Sequence, residues 1–277
     1  MSERLKSSDF YFSPDSKLWE INRERAILVF GGQRALLMQL AHPLVCQGVS
    51  EHSNFKEDPL SRLTHTRKLV STLMFGTRED VLDAARTINI AHRPVKGNLK
   101  QDSGNYKAGT AYDVKTPELI MWVWAALTDT RLVVYDKFVR PLADHEKEQF
   151  YQESKEILPL LGEKPQEIPS SVKDFSDYMK RMVHEGKVVV GQEARKLAPY
   201  IMLKKFPPAK PLSFFISQVT IGLLPETIRN QYGFSWSPQK QTFLDTTAAL
   251  SRRVYPSIPD RFRFSSGYRN ARKRLNS

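Results

Sequence analysis

Apolar positions recur along this chain at helical spacing far more often than at strand spacing. In "PDSKLWEINRERAILVFGGQRALLMQLAHP", Leu18, Ile21, Ala26, Val29 and Phe30 precede Gly31-Gly32, and Leu36, Leu37 and Leu40 follow. That pattern predicts an amphipathic helix, a break at the paired glycines, and a second helix ending near His42-Pro43. "TREDVLDAARTINIAHRP" has Thr77 as N-cap, acidic residues in its first turn, Pro94 as its stop, and a stripe of Val81, Ala85, Ile88 and His92. In "KTPELIMWVWAALTDTRLVVYDKFVRPL", Thr116 caps, Pro117 takes the first helical position, and about six turns follow. Asp58-Pro59 marks another helix start.

Four more stretches read as helical: "ADHEKEQFYQESKEILPLLG", "SVKDFSDYMKRMVHEG", "KPLSFFISQVTIGLLPETIRNQYGF" and "SPQKQTFLDTTAALSRRVYPSIP". Only "KVVVG" is strand-like, and there is no repeat or low-complexity segment. The expectation is an all-α protein, one multi-helix domain over residues 17–274 preceded by an extension over 1–16. The single candidate for an internal boundary, "KKFPPAKP" at 204–211, reads equally as a loop.

Composition narrows the class. The longest apolar run, "LIMWVWAAL" at 119–127, is about half of a membrane-spanning helix and reads as a core helix buried all round. The N-terminus lacks the apolar core of a secretory signal. One cysteine, Cys46, excludes an intramolecular disulfide framework and Cys-rich metal sites, and points to a reducing, cytoplasmic setting. The 42 basic and 30 acidic residues give a net charge of +12, which suits an anionic partner, although the excess is spread along the chain rather than gathered in a block. "SRRVYPSIPDRFRFSSGYRNARKRLNS" interleaves Arg with Tyr and Phe, as single-strand nucleic-acid binders do, and reads equally as a tail wrapped over the core. "PLSFFISQVTIGLLP" is apolar enough to lie on a bilayer as a peripheral contact or to serve as a core helix.

The familiar catalytic motifs are missing. Six histidines at 42, 52, 65, 92, 145 and 184 contain no pair three or four apart, so no zincin helix exists. "GGQRAL" lacks the Lys-Ser/Thr of a phosphate-binding loop, and no GxSxG nucleophile elbow occurs. What remains is His92 at the end of an apolar stripe, followed by Arg93 and Lys96. An inward imidazole beside cations suits a haem, with the cations meeting the propionates. The same His also suits a helix C-terminus, and spacing leaves both readings open. Arg62 and Thr66 lie four apart and share one helix face, as donors to a ligand or as surface contacts. His42-Pro43 reads as a kink or helix end.

The ordered series "RALLMQLAHPLVCQGVSEHSNFKEDPLSRLTHT", "LMFGT", "IAHRPVKG", "PELIMWVWAALTD", "LPETIRNQYGFSW" and "PDRFRFSSGYRNARKR" resembles the family of the oxygenase MpaB and the rubber oxygenase (latex clearing protein) catalytic domain. The resemblance implies a globin-like helical core around haem b, and oxidative cleavage of C=C bonds in an apolar, isoprenoid-like substrate by dioxygen. It implies that His92 ligates the iron, that Lys96 meets a propionate, and that His42 and His52 line or support the pocket. Arg62 and Thr66 then polarise dioxygen, His52 serves as acid–base or as structure, and aromatics such as Trp122 and Trp124 line a substrate channel. "SRLTHTRK" lacks the Lys-Thr pair of rubber-cleaving members, which points away from rubber itself. The resemblance favours a packed tail over a nucleic-acid arm.

Overall fold

Ser16 starts the first long helix by accepting a hydrogen bond from the Trp19 amide at 3.2 Å. The structure is a computed structural model describing residues 5–53, 59–162, 167–202 and 210–276; of residues 59–63 and 210 it describes the backbone. The "KKFPPAKP" boundary lies almost wholly outside the described residues. In chain order the helices are α1 (Lys17–Arg23), α2 (Arg25–Leu40), α3 (Pro43–His52), α4 (Pro59–Phe75) and α5 (Arg78–His92). Strands β1 (Lys96–Asn98) and β2 (Ala111–Asp113) follow, then α6 (Pro117–Phe138), α7 (Asp144–Ser154), α8 (Leu158–Leu161), α9 (Val172–His184) and α10 (Gln192–Ile201). The chain closes with α11 (Lys210–Leu223), α12 (Glu226–Gln231), α13 (Pro238–Val254), α14 (Asp260–Arg263) and α15 (Ser266–Asn276). The fold is all-α, with one small antiparallel ribbon that pairs Lys96 with Asp113 and Asn98 with Ala111.

α6 is the axis. Its run from Leu119 to Ala126 is buried except for Val123, which is half-buried, because α2, α7, α8 and α13 all lie against it. One core cluster gathers Trp19, Trp124, Phe138, Tyr151 and Phe175, and a second gathers Leu37, Trp122, Leu197 and Tyr232. Trp122 and Trp124 are packed into these cores, with their indole N–H groups donating to the carbonyls of Met38 (3.2 Å) and Ser154 (2.9 Å). They line neither of the two cavities described below.

Two local expectations fail for tertiary reasons. α2 runs straight through Gly31-Gly32, and the break falls at Glu24, whose backbone is extended. "KVVVG" forms no strand: Val188 and Val190 are buried in the second core cluster. α11 is split in character, with Leu212 and Phe214 exposed near its start while Val219, Ile221 and Leu223 are buried. Among the described residues, no helix is long and apolar enough to cross a membrane.

Candidate functional site

α4 and α5 form a hairpin around Gly76. The turn is tight: the Gly76 amide donates to Thr72 O at 2.8 Å, and a Cβ there would lie 2.6 Å from that oxygen and 2.8 Å from Asp80 Cβ. Thr77 and Asp80 then exchange a reciprocal capping pair (3.0 and 3.2 Å) that starts α5. Along α5 burial fades from Val81, Ala84 and Ala85, which are buried, to Ile88 and His92, which are half-buried. His92 is the last residue of the helix and lies at the edge of the protein rather than within the core, correcting the inward stripe read from spacing. The reason is that α5 loses its cover towards this end: Ile90 is 70% exposed. The His92 carbonyl accepts from the Val95 amide at 3.0 Å, turning the chain into β1. Arg93 and Lys96 are both exposed.

On α4, Thr66 is half-buried, and Arg62 lies one turn earlier with its side chain outside the described residues. Arg62 and His92 lie on the two helices that meet at Gly76, Arg62 in the first turn of α4 and His92 at the end of α5.

His52, the last residue of α3, is exposed and borders a cleft of about 570 Å³. Lys96 lines the same cleft, so two of the expected site residues meet here. Glu51 orders this wall: it accepts from Tyr112 Oη at 2.5 Å and pairs with Lys100 at 2.7 Å. The hydrogen bonds from Lys100 and Tyr112 hold its carboxyl below the usual range, while burial and then Glu51 push the Tyr112 phenol up. Cys46, Gln47 and Glu193 complete a predominantly polar enclosure. Packing of the β-ribbon against α3 brings Tyr112 and Lys100 to Glu51, which the sequence pattern does not show.

His42 is elsewhere, at the N-terminal end of α3. Its carbonyl accepts from the Cys46 amide (2.9 Å), while its ring is fully buried against Tyr106 and Trp122. Nε2 lies 3.3 Å from Tyr106 Oη, and Nδ1 has no hydrogen-bond partner. Burial, then the charge of Lys187, lowers its pKa to about 4, so the ring is neutral at pH 7. It borders neither cavity and is built as a core histidine. Among the described residues, no group of three or more His, Cys, Asp or Glu is placed to hold a metal ion.

A comparison with protein families settles the class. Residues 19–253 match the family described as "ER-bound oxygenase mpaB/B'/Rubber oxygenase, catalytic domain". The chain belongs to this oxygenase family. Comparisons with curated proteins and with solved structures found no match. The family match includes every expected site residue and ends before α14 and α15, so the tail motif at 259–274 stands outside it.

Proposed function

We propose that this family member is a haem b-dependent oxygenase that cleaves a C=C bond in an apolar, isoprenoid-like substrate with dioxygen. The observation that carries the reading is His92 as the last residue of α5, followed by exposed Arg93 and Lys96, in a chain that matches the oxygenase family over residues 19–253. A haem held by one axial imidazole needs no cluster of ligands. The donor set fits it: His92 is half-buried at a helix end, and the exposed cations Arg93 and Lys96 follow. A globin-like arrangement around the cofactor belongs to this reading.

His92 would hold the iron through a neutral ring nitrogen, and Arg93 and Lys96 would pair with propionates. When bound, the haem supplies the redox chemistry and the activation of dioxygen. Arg62 and Thr66, one turn apart on α4, would donate to oxygen atoms on the facing side. His52 would take up a proton at an imidazole nitrogen and pass it to solvent across the polar cleft that it shares with Lys96. The His52, Glu51 and Lys96 side chains of that cleft suit proton exchange.

The test is an absorbance spectrum of protein expressed with a haem precursor, beside His92→Ala and His52→Ala. A Soret band present in the wild type and in His52→Ala, and lost in His92→Ala, is the expected result. An equal band in His92→Ala would move the ligand to another residue, and no band in any of the three would sink the haem reading.

A further inference from the structure

Two arginines are buried, Arg34 on α2 and Arg131 on α6, and they are treated differently. Arg34, 2% exposed, is fully engaged: it donates to Asp129 at 2.7 Å, Thr130 at 2.6 Å and the Leu223 carbonyl at 2.8 Å. Arg131 is 7% exposed, and its hydrogen bond is from Nε to Asn22 Oδ1 at 2.6 Å. Among the described residues no carboxylate pairs with it. Asn22 is itself buried and gives its amide N–H to Leu18 O at 2.8 Å, so it offers a dipole and no charge. A buried guanidinium without a counter-charge is costly, and burial lowers its pKa only to about 10, leaving it cationic at pH 7.

Arg131 lines a cavity of about 450 Å³ between α4, α6 and α15. One face of α4 forms a wall: Thr64, Arg67, Lys68 and Ser71 recur at helical spacing. Thr66 is not part of this lining, and the proposal does not rest on the haem reading. α15 supplies Arg274, already paired with Asp80 at 2.7 Å, and crosses α4 closely at Gly267, where a Cβ would collide with the Ser71 hydroxyl. Asp80 is the one carboxylate among the described lining residues, against four cations. Ile27, Leu28, Met74 and Phe75 make the rest of the lining apolar.

We propose that this cavity is a binding site for a small amphiphilic acid, whose carboxylate is held by the Arg131 guanidinium and whose apolar body lies against α2 and α4. The fork of guanidinium nitrogens matches a planar carboxylate, and the volume is that of a small-molecule pocket. Arg67 and Lys68, both exposed, stand at the rim and draw the anion in.

Calorimetric titration of the full-length protein with octanoate, and separately with inorganic phosphate, tests this. Octanoate should bind at least tenfold more tightly than phosphate, and Arg131→Gln should lower octanoate affinity at least tenfold. If Arg131→Gln does not fold, the rim variant Arg67→Glu/Lys68→Glu decides, with a loss of severalfold or more expected. No octanoate binding to the wild type, or an affinity unchanged in the folded variant, would overturn the proposal. Phosphate binding as tightly as octanoate would overturn the assignment to an amphiphilic acid.

Discussion

His42 shows what a single residue can hide. Its Nε2 faces Tyr106 and its Nδ1 has no partner, so the tautomer decides only whether the orphan is a donor or an acceptor. Protonation would add a buried charge near Lys187, and the folded protein therefore resists it down to about pH 4, whereas an unfolded chain takes the proton near pH 6.5. The folded value is the lower one, so stability is full above pH 6.5 and falls as pH drops from there towards 4. Between pH 7 and pH 5 the loss should be about 2 kcal/mol. Urea unfolding at the two pH values, on wild type and His42→Gln, measures it; the variant should lose about 2 kcal/mol less, and equal losses would remove His42 as the cause. The "AHP" motif pointed to a helix end, and α3 does begin there. The depth of the ring could not be read locally, because Tyr106 and Trp122 come from distant segments. Arg131 was similarly silent: Asp129 lies two residues before it on α6, and only the packing shows that this acid pairs with Arg34 and that, among the described residues, none pairs with Arg131.

Elements were legible where local chemistry and tertiary packing agree. Thr77 with Asp80, Pro117 at the start of α6, and Pro59 at the start of α4 were all readable, since each signal acts on its own backbone. Gly31-Gly32 misled because glycine was weighed as a breaker, when one of the pair serves contact with another helix. A Cβ at Gly31 would lie 3.0 Å from Thr130 Cγ2 and 3.4 Å from Val134 Cγ2 on α6, so Gly31 sets how closely α2 approaches the axis. At Gly32 nothing lies within 4 Å. The two should therefore respond oppositely. Gly32→Ala gains helix propensity without a clash and should stabilise by about 0.5–1 kcal/mol, a rise in Tm of about 2 °C. Gly31→Val pushes α2 from α6 and should destabilise by about 2 kcal/mol. Thermal melts of the two variants decide it, and a matching sign for both would show that the α2–α6 approach is not what requires glycine.

Across the whole molecule, the open question from sequence was the purpose of the basic charge, and the tail is where it matters most. The Ser265 amide donates to Arg23 O at 2.8 Å, Arg263 makes a two-point contact with buried Glu24 at 2.9 and 3.0 Å, and Arg23 lies over the Phe264 ring at 4.9 Å. Tyr268 then closes on Trp19 and Phe75, each at 5.8 Å between ring centroids. Phe264, Tyr268 and several of the arginines that suggested stacking on bases are thus spent on α1, α2 and α4, while Phe262 stays exposed; a periodicity reading could not reveal this because the partners lie more than two hundred residues away in several cases. Arg272 and Lys273 stay exposed. If the tail is a strap, Tyr268→Ala should destabilise by about 2–3 kcal/mol, somewhat less than a fully buried aromatic because the ring is half-exposed. Arg272→Ala/Lys273→Ala should change stability by less than about 0.5 kcal/mol. Denaturant unfolding gives both values, and anisotropy with a labelled single-stranded oligonucleotide at low and moderate salt gives the competing readout. A binding arm would reverse the pattern: Tyr268→Ala would leave unfolding unchanged, and the double alanine variant would abolish a salt-sensitive association. The ion pairs and ring contacts on α1 and α4 favour the strap, because a segment that closes the core over Trp19 cannot leave it to stack on a nucleic acid without unfolding its own support.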